Sequence, residues 1–550
     1  MSVIGVRWSG PHAVLAELSD LAGVLALHHR LQQEPLPGQR DTVAGASTVL
    51  VKFESSFHAA AAHHLLPGLD LTVREQVAGA EVLIEVVYDG EDLAEVGQLT
   101  GLGADGVVAA HTGQLWTGAF GGFAPGFTYL VGENDSLSVP RRSSPRTVVP
   151  AGAVALGGAF SAVYPRQSPG GWQLLGHTTA RMWDLDRESP ALVRPGDTVR
   201  YVAVRETVVV RDEALAHRAA SADQPSRSSS GLDVVAAGLQ SLVQDLGRPG
   251  FGDLGVSVAG AADPRAARQA NRLVGNQPGA AVVENLLGGL SIRAHTDQVL
   301  AVTGAATPLT VHDADQAVVR RPALNAPFAL LDGETLTLGA PVTGVRSYLA
   351  ARGGLDVAPV LGSRSSDSMS GIGPKPLAPG AWLPVAAAVG SHPVGSAEPG
   401  SPAEDGKKPV LLRVTLGPRD DWFGSAALSA LTDQDWLVTP QSNRIGVRLQ
   451  PAETALVRSR EGELPSEGTV AGALQVPPNG QPVLFLADHP VTGGYPVIAV
   501  VVPQDLPLAA QLPPGATARF AVVDPTTLAP PQQHHTKSAP SATVSEGSQP

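Results

Sequence analysis

Two turns rich in glycine and proline bring arginine and carboxylate side chains together in this sequence. The segment QDLGRPG at 244–250 carries Asp245 and Arg248, and GPRDDWF at 417–423 places Arg419 beside two aspartates. An arginine fork can hold a substrate carboxylate through two hydrogen bonds, and an aspartate can orient water or act as a base. We therefore predict catalytic roles for Asp245 and Arg248, with structural ion pairs at barrel corners as the alternative.

A second chemically suggestive group is the loop GAFGGFAPGFTYL at 118–130. It holds three phenylalanines and a tyrosine, although only 4% of the chain is aromatic. Glycine permits close backbone approach, so we predict that Gly122 and Gly126 let the backbone reach a ligand while Phe127 forms the wall of the site. His111 precedes the loop and is predicted to be catalytic. The alternative is an aromatic plug inside a β-barrel.

Three further segments suit an anionic ligand. PRRSSPR at 140–146 concentrates arginines in an acidic protein, which favours phosphate, with a solvated loop as the alternative. The glycines of SPGGW at 168–172 and TGGYP at 492–496 can offer backbone N–H groups to an anion. Ordinary tight turns are the alternative for these two segments.

The residue types present exclude or disfavour several kinds of site. The chain has no cysteine, which removes disulfides, cysteine-ligated zinc, thiol nucleophiles and iron–sulfur clusters. None of its 15 histidines shows the HExxH spacing of a metal site, so we predict no metal ligation by this chain. It also lacks a Walker A ending and a GxSxG motif, and covalent catalysis is not expected.

Composition favours a β-rich protein that acts on a small molecule or another protein. The 61 glycines and 47 prolines among 550 residues indicate many short elements joined by turns. A formal net charge of −13 without a basic run argues against a nucleic-acid or anionic-membrane partner. No segment reaches the roughly 18 apolar residues of a membrane span, and the N-terminus lacks an export signal, so we expect a cytoplasmic protein.

Periodicity and capping residues predict the elements that must position these side chains. Apolar residues at helical spacing predict a helix from Leu21 to Leu31 and another over 263–274, with Asp263 as its N-cap. Alternating apolar residues predict strands at 47–53 and 80–88.

A weak internal repeat predicts how the β-modules close. VRPGDTVRYVAV at 193–204, LAPGAWLPVAAAV at 377–389 and LPPGATARFAVV at 512–523 each place a proline–glycine turn before a strand. Such a turn can introduce the final strand of a sheet in each module. A chance pattern is the alternative, since proline–glycine turns are common.

The predicted organisation of the chain follows from these patterns and from changes in composition. The segments are a small α+β domain at 1–80, a β-module at 81–208, a linker at 209–231, a β-module at 232–390, a flexible connection at 391–408, a β-module at 409–524 and a disordered tail at 525–550.

Longer motifs carry a family resemblance. In the first half, GFAPGFTYL at 122–130 and YPRQSPGGWQLLG at 164–176 resemble allophanate hydrolase subunit 1, also called the 5-oxoprolinase B subunit. In the second half, GLQSLVQDLGRPG at 238–250, SNRIGVRL at 442–449 and SEGTVAGALQVPPNGQP at 466–482 resemble allophanate hydrolase subunit 2, or the 5-oxoprolinase C subunit. The resemblance implies fused B and C subunits, and the predicted linker explains the fusion physically because tethering raises effective concentration.

The resemblance also implies a fold and an activity. The fold would be mixed α+β and β-rich, with a small α+β N-terminal domain followed by cyclophilin-like β-barrel modules, as in the carboxyltransferase part of urea carboxylase. The activity would be ATP-dependent opening of 5-oxo-L-proline to L-glutamate, with magnesium accompanying ATP and a separate A-type subunit as partner. The residues predicted to bind substrate or phosphate are Gly122, Gly126, Phe127, Arg141, Arg146, Gly170, Gly171, Ser442, Arg444, Thr492, Gly493, Gly494 and Tyr495.

Two other functions stay open at this stage. One is biotin-dependent carboxyl transfer to urea or a related amide; no lysine neighbours Met1, Met182 or Met369, so by that pattern this chain carries no covalent biotin of its own. The other is regulation of a histidine kinase, since relatives of the first half are described as kinase inhibitors and relatives of the second as their antagonists. Fusion of the two halves weakens this last hypothesis.

The chain departs from the family pattern at four positions. We expect tyrosine where Trp116 stands, arginine at His177 and aspartate at Asn443. Directly before TGGYP we expect an Arg-x-Thr sequence, where this chain has His489, Pro490 and Val491. These differences remove charge or hydrogen-bond donors near predicted sites, which is compatible with either altered substrate choice or loss of activity toward 5-oxoproline.

Overall fold

A computed structural model describes residues 2–71, 79–205, 230–400 and 408–530. The predicted linker at 209–231 and tail at 525–550 fall mainly outside these ranges, as does part of the predicted connection at 391–408. No helix within the described ranges is long and apolar enough to cross a membrane.

The N-terminal α+β domain consists of an antiparallel sheet and two helices. Its elements are β1 (Val3–Trp8), β2 (Ala13–Leu18), α1 (Leu21–Gln33), β3 (Gln39–Ala44), β4 (Thr48–Phe53) and α2 (Ser56–Leu65), with strand order β1-β2-β4-β3. The predicted first helix is confirmed, and the Asp20 side chain accepts a hydrogen bond from Gly23 N at 2.8 Å as its N-cap.

Both faces of this small sheet are buried. Val14 and Ala16 pack with Leu27 of α1, whereas the alternate residues Ala13 and Leu15 pack with a separate apolar cluster from the second half of the chain. Because successive side chains of a strand point to opposite faces, one short strand serves two cores. The sheet therefore lies between the helices of its own domain and the second half of the chain.

The next unit is a nearly closed β-barrel. Its elements are β5 (Glu81–Val86), α3 (Leu93–Thr100), α4 (Gly103–Thr112), β6 (Trp116–Gly121), β7 (Thr128–Gly132), β8 (Arg146–Val149), β9 (Ala153–Gly157), β10 (Phe160–Val163), β11 (Ser168–Gly170), β12 (Gln173–His177) and β13 (Thr198–Ala203). Seven strands pair in the order β12-β9-β10-β7-β6-β13-β5, and β8 pairs separately with β11. A bridge between Val87 and His177 brings the two edges of the seven-stranded sheet together.

The third unit consists of two sheets around one apolar core. Its elements are β14 (Gly231–Ala237), β15 (Gln240–Gln244), α5 (Pro264–Leu273), β16 (Val282–Leu286), β17 (Leu290–Ala294), β18 (Gln298–Gly304), β19 (Leu309–His312), β20 (Val318–Arg320), β21 (Pro327–Leu330), β22 (Thr335–Leu338), β23 (Arg346–Ala351) and β24 (Trp382–Pro384). The sheets run β20-β19-β22-β17-β14-β24 and β15-β16-β23-β18-β21. The sequence predicted a β-barrel module for 232–390. The observed strands of this unit pair in two sheets, and we call the unit the sandwich.

A closed barrel forms the last unit. Its elements are β25 (Val410–Leu416), α6 (Ser425–Asp433), β26 (Trp436–Val438), β27 (Gly446–Pro451), β28 (Glu467–Gly468), β29 (Ala473–Gln475), β30 (Val483–Phe485), β31 (Thr492–Gly493), β32 (Val497–Val501), α7 (Leu506–Ala510) and β33 (Thr517–Val522). The closed order is β25-β32-β29-β30-β27-β26-β33, and β28 pairs with β31. Trp436 and Phe520 are buried in its core.

The predicted role of the proline–glycine turns is confirmed. Gly196, Gly380 and Gly515 have φ values of +92°, +84° and +86°, a region that glycine enters without steric cost. Each turn leads into a strand that pairs with the first strand of its own unit: β13 with β5, β24 with β14 and β33 with β25. The repeat therefore reflects how each unit closes.

Candidate functional site

The glycines of the aromatic loop between β6 and β7 make close contacts with other parts of the protein. Gly126 has φ +76°, and its N–H donates to Leu254 O in the second half at 3.3 Å. A Cβ at Gly122 would overlap the Phe127 ring, and one at Gly126 would lie 2.8 Å from Met182 O. The close backbone approach predicted from these glycines is thus required for packing of the loop itself.

Phe127 belongs to a buried aromatic cluster. It is 1% exposed, and its ring centroid lies 5.2 Å from that of Tyr164 and 5.6 Å from that of Trp172. This cluster is continuous with the core of the α+β domain, whereas Trp116 belongs to the separate core inside the first barrel. The ring therefore packs on the outer face of the barrel, neither as an internal plug nor as an open wall.

His111 is part of the interior of the first barrel. Its Nδ1 lies 2.7 Å from Tyr88 Oη and its Nε2 lies 3.0 Å from Ser161 Oγ, while its ring stacks on Tyr201. Burial lowers the pKa of His111 to about 3, so the ring is neutral at physiological pH. Both ring nitrogens are used within the core, and this geometry gives no support to the predicted catalytic role.

The basic segment after the loop is largely neutralised within the protein. Arg142 Nη1 and Arg146 Nη2 each donate to Asp92 Oδ1 at 2.7 Å. Burial by itself would raise the pKa of Asp92, but hydrogen bonds from Arg146 and from Leu174 N bring it below its usual value. Arg141 instead lies over the Trp172 ring, 5.9 Å from its centroid. Arg146 is thus a structural ion-pair partner in this arrangement.

The glycine pairs predicted as anion nests lie at or in short strands. Gly170 pairs with Arg146 between β11 and β8, and Gly493 pairs with Glu467 between β31 and β28. Gly171 follows β11 directly, and its carbonyl accepts from Arg142 N at 2.8 Å. Extended backbone alternates its N–H directions and does not converge them on one anion, as a nest requires.

The remaining residues of these predicted second-half segments also have partners in the protein. Thr492 is buried in β31, where it pairs with Gly468 of β28, and Gly494 follows the strand. Tyr495 is half exposed, and the Arg458 guanidinium lies 5.5 Å from its ring centroid. Ser442 Oγ accepts from Arg448 N at 3.0 Å.

Arg444 connects the sandwich to the second barrel. Its guanidinium donates to Glu284 Oε1 at 2.5 Å, to both oxygens of Asp488 at 2.7 and 2.9 Å, and to Gly260 O at 2.7 Å. Ser368 N in turn donates to Asp488 at 2.9 Å. Arg444 is fully buried and its hydrogen-bonding capacity is directed to protein, which makes it a structural centre in this geometry.

Asp245 organises the segment that follows β15. Its Oδ1 accepts from Ser363 Oγ at 2.6 Å, Ser365 Oγ at 2.5 Å and Gly247 N at 2.8 Å, and its Oδ2 accepts from Arg364 N at 2.7 Å. These bonds fix the loop 363–367 against the turn. Asp245 therefore positions the residues of loop 363–367, and its carboxylate oxygens are used within the protein.

Arg248 and Arg166 come from the two halves of the chain, and the charge of Asp367 acts on both. Arg248 is buried, donates from Nη2 to Ser365 O, and has no hydrogen-bond partner for Nη1 among the described residues. Burial lowers the pKa of both arginines, and the charge of Asp367 opposes that effect for each. Arg166 Nε is also buried without a partner in the described part of the chain. Ser168, two residues further along, has a buried Oγ in the same condition.

Asp367 is held by hydrogen bonds from neighbouring serines and backbone N–H groups. Ser257 Oγ donates to its Oδ2 at 3.0 Å, and Met369 N and Ser370 N donate to its Oδ1 at 2.8 and 3.0 Å. Unpartnered guanidinium N–H groups beside a fixed carboxylate can bind an anionic oxygen and can stabilise negative charge that develops in a reaction. We take Arg166, Arg248 and Asp367 as the candidate functional site.

The sequence predicted one of these three residues. Arg248 was predicted from its own turn. Arg166 and Asp367 were not singled out, although Arg166 lies within the family-type motif YPRQSPGGWQLLG at 164–176. The spacing of 201 positions between Arg166 and Asp367 gives no local signal for their proximity. A search for arginines in glycine-rich motifs would have found Arg166.

The four departures from the family pattern have ordinary structural roles here. Trp116 Nε1 donates to His111 O at 2.9 Å, and Asn443 Oδ1 accepts from Ile445 N at 2.8 Å. His177 Nδ1 lies 2.8 Å from Asp89 Oδ1 at the surface. His489 stacks on Phe485, and burial lowers its pKa to about 4.

Two cavities lie at boundaries between the units. One of about 490 Å³ separates the sandwich from the second barrel and is lined by Asp263, Arg265, Asn325 and Gln511 among others. One of about 250 Å³ lies between the α+β domain and the second barrel. Arg419 of the GPRDDWF turn lines the second cavity, whereas the residues predicted as catalytic or ligand-binding line neither one. Within the described ranges, no group of three or more histidine, aspartate or glutamate side chains is arranged to hold a metal ion.

Comparison with family models matches both halves of the chain. Residues 4–193 match the model described as carboxyltransferase domain, subdomain C and D. Residues 254–522 match the model described as carboxyltransferase domain, subdomain A and B.

Individual proteins show the same division. The chain is 38% identical to the 5-oxoprolinase C subunit of Escherichia coli K12 over 296 residues, which covers 52% of this chain and 90% of that protein. It is 47% identical to the 5-oxoprolinase B subunit of Escherichia coli O157:H7 over 128 residues, 23% of this chain and 59% of that protein. The crystal structure of TTHA0988 aligns with a TM-score of 0.79 and 34% identity over 94% of this chain and all of that one.

Proposed function

Because this chain belongs to the carboxyltransferase-domain family and carries both subdomain pairs on one polypeptide, we propose that it supplies the B and C components of an ATP-dependent 5-oxoprolinase. The observation that carries the proposal is the match to the 5-oxoprolinase C subunit over 90% of that protein, joined in one chain to a match to the B subunit. In the proposed reaction 5-oxo-L-proline is opened to L-glutamate together with a separate A-type subunit.

The chemistry requires activation of a poor electrophile. ATP, with magnesium, would transfer its terminal phosphoryl group to the lactam oxygen and be released as ADP. A first water would then add to the ring carbon, and the C–N bond would break as the nitrogen takes up a proton. A second water would hydrolyse the resulting acyl phosphate to a carboxylate and inorganic phosphate. The unpartnered N–H groups of Arg166 and Arg248 suit the anionic oxygens of such a phosphate or of the substrate carboxylate. The negative charge of Asp367 acts on both arginines and raises their pKa values against the effect of burial.

The test is reconstitution of the complex. The chain is mixed with an A-type subunit, ATP, magnesium and 5-oxoproline, and glutamate and ADP are measured in the same samples. We expect both products in equal amounts, and only when all components are present. Absence of both products from a well-folded mixture would contradict the proposal.

Carboxyl transfer is the second candidate, because both matching family models describe carboxyltransferase subdomains. It requires a biotin carrier on another protein, since none of the three methionines of this chain neighbours a lysine. Avidin blotting of proteins that copurify with the chain separates the two candidates: a biotinylated partner favours carboxyl transfer, and an A-type subunit without biotin favours the 5-oxoprolinase.

A further inference from the structure

The carboxylate of Asp367 accepts a hydrogen bond at each position where it can accept one. Its Oδ1 accepts from Met369 N at 2.8 Å and from Ser370 N at 3.0 Å. Its Oδ2 accepts from Ser257 Oγ at 3.0 Å and from Ser370 Oγ at 2.5 Å. An ionised carboxylate offers about four acceptor positions on its two oxygens, so these four donors occupy all of them.

The turn that carries Asp367 is itself held in place. Asp367 N donates to Ile372 O at 2.9 Å, and Gly371 N donates to Asp367 O at 2.9 Å. Ser368 ties the turn to the second barrel, because its N and its Oγ donate to Asp488 Oδ2 at 2.9 and 2.5 Å. The carboxylate therefore cannot move toward another group without breaking hydrogen bonds of this turn.

The two arginines of the candidate site feel the charge of Asp367 but are not hydrogen-bonded to it within the described residues. This charge raises the pKa of Arg166 and Arg248 against the effect of burial, yet Arg166 Nε and Arg248 Nη1 have no partner there. Opposite buried charges usually pair, because a buried charge is costly unless it is hydrogen-bonded. The filled acceptor positions of Asp367 explain why these N–H groups stay unpaired.

We propose that Ser370 is a positioning residue of the candidate site, which holds the Asp367 carboxylate through its N–H and its hydroxyl and so prevents it from pairing with Arg166. Without the hydroxyl, one acceptor position of Oδ2 opens to a guanidinium. Arg248 is already held by Ser365 O through its Nη2, so Arg166 is the arginine that moves. The use of Arg166 in catalysis rests on the proposed function, whereas the arrangement around Asp367 does not.

Ser370 is a better residue to substitute than Ser257. It supplies two of the four donors and is only partly buried, whereas Ser257 is 2% exposed. Ser370→Ala removes the hydroxyl and keeps the N–H, and it also removes the bond that Ser370 Oγ accepts from Ile372 N at 3.3 Å. Because that second loss is purely structural, the experiments must separate it from the release of Asp367.

The first experiment uses the full chain without substrate and measures urea denaturation midpoints in a double-mutant cycle. In the wild-type background Arg166→Gln should change the midpoint little, because Arg166 Nε has no acceptor among the described residues. In the Ser370→Ala background Arg166 pairs with Asp367, so Arg166→Gln should lower the midpoint clearly. Equal shifts in the two backgrounds would overturn the proposal, since substitutions that do not interact have additive effects.

Two further variants are the controls for this cycle. Ser241 is fully buried and its Oγ donates to Ala237 O at 2.7 Å, so Ser241→Ala removes a comparable hydroxyl that does not bind Asp367. In that background Arg166→Gln should shift the midpoint as little as it does in the wild type. Ser370→Thr keeps a hydroxyl at the same position and should behave as the wild type.

The second experiment measures kcat and KM of the reconstituted complex. Ser370→Ala should lower kcat/KM about tenfold, because an N–H of Arg166 is then bound to Asp367, and Ser370→Thr should retain the wild-type value. Asp367→Asn removes the charge that captures Arg166, so in that background Ser370→Ala should have no further effect. A merely structural loss would instead lower kcat/KM by the same factor in both backgrounds.

The outcomes separate this proposal from the proposed function. If the wild-type complex forms neither glutamate nor ADP, the proposed function fails, but the coupling between Ser370 and Arg166 in the denaturation midpoints still decides the role of Ser370. If the complex turns over 5-oxoproline and both cycles are additive, the positioning role is wrong although the proposed function holds.

Discussion

The arginines of this protein differ in how many of their N–H groups have hydrogen-bond acceptors within the protein. Arg444 uses its guanidinium on three protein acceptors, and Arg142 and Arg146 share Asp92. Arg166 and Arg248 each keep a buried N–H without a partner in the described residues. A buried charged donor left unsatisfied costs free energy, so its retention points to a ligand.

Substitution of Arg166 tests that interpretation. Arg166→Gln removes one charged donor from the candidate site and is expected to lower kcat/KM of the reconstituted complex by about tenfold to a hundredfold. Arg181→Gln, at a site 73% exposed, is the control and should leave kcat/KM unchanged. Equal activity of both variants, measured at matched protein concentration, would remove Arg166 from the site.

Arg444 should matter for stability. Arg444→Gln leaves Asp488 and Glu284 buried without their charge partner, and we expect the free energy of unfolding to fall by about 3–5 kcal/mol. Arg519→Gln breaks the exposed pair with Asp435 and should cost no more than about 1 kcal/mol. Urea denaturation followed by tryptophan fluorescence measures both. Similar values for the two variants would contradict the structural role.

Glu467 gives a pH dependence of stability whose sign is fixed by its raised pKa. The folded protein keeps this proton up to pH about 7, whereas the unfolded chain releases it near the usual glutamate pKa of 4.5. Stability contributed by the protonated form is therefore lost as pH rises between these values. The free energy of unfolding of wild type relative to Glu467→Gln should fall by an amount on the order of 3 kcal/mol across this window. A flat or rising difference in denaturation midpoints would contradict the assignment.

Among the elements, the loop between β6 and β7 differs most in its observed role from the role predicted from the sequence. Its glycines allow the turn in which Gly122 N donates to Phe127 O at 2.6 Å, and its aromatic residues join the α+β domain to the first barrel. The loop is thus a packing element that also contacts the 3₁₀ turn Gly252–Leu254 of the second half.

Truncation of Phe127 measures that packing. Phe127→Ala removes a ring that is 1% exposed, and we expect a loss of about 3–5 kcal/mol in the free energy of unfolding. Phe57→Ala, at 76% exposure, is the control and should change stability little. Lowered turnover of Phe127→Ala with unchanged stability would instead restore the ligand wall predicted from the sequence.

At the scale of the whole molecule, the two halves are joined by many contacts. Arg419 of the second barrel binds Glu17 of the α+β domain, and Gly252 N of the sandwich donates to Asp41 Oδ1 at 3.3 Å. Ser466 Oγ donates to Tyr129 Oη at 3.3 Å, and the apolar cluster around Leu15 and Phe485 spans the same boundary.

These contacts predict that the halves stay together when the covalent connection is cut. A protease site inserted within 209–231 and cleaved after folding should yield two fragments that elute together in size-exclusion chromatography at physiological salt. A buried apolar interface resists dilution and moderate salt better than surface ion pairs do. Separation of the fragments would show that the tether maintains the assembly.

Local features of the fold were predictable because they depend on neighbouring residues. Asp263 caps the fifth helix as predicted, since a cap bonds the backbone N–H three residues further on, and Asp20 caps the first helix in the same way. The proline–glycine turns were also predictable, because a positive φ favours glycine. The division of 232–390 into two sheets was not predictable, since it depends on pairing between distant strands.

For the candidate site, the sequence by itself determined the residue types: arginines and aspartates in glycine-rich motifs, without cysteine or a metal-type histidine pattern. Only the tertiary structure decided which of them are free to bind a ligand. Arg444 and Arg146 were predicted to bind substrate or phosphate, and both form ion pairs within the protein. By contrast, Arg166, Thr48 and Glu467 each have a side-chain atom without a hydrogen-bond partner among the described residues. The physical reason is that hydrogen-bond satisfaction depends on groups brought together from distant parts of the chain, and no local pattern records them.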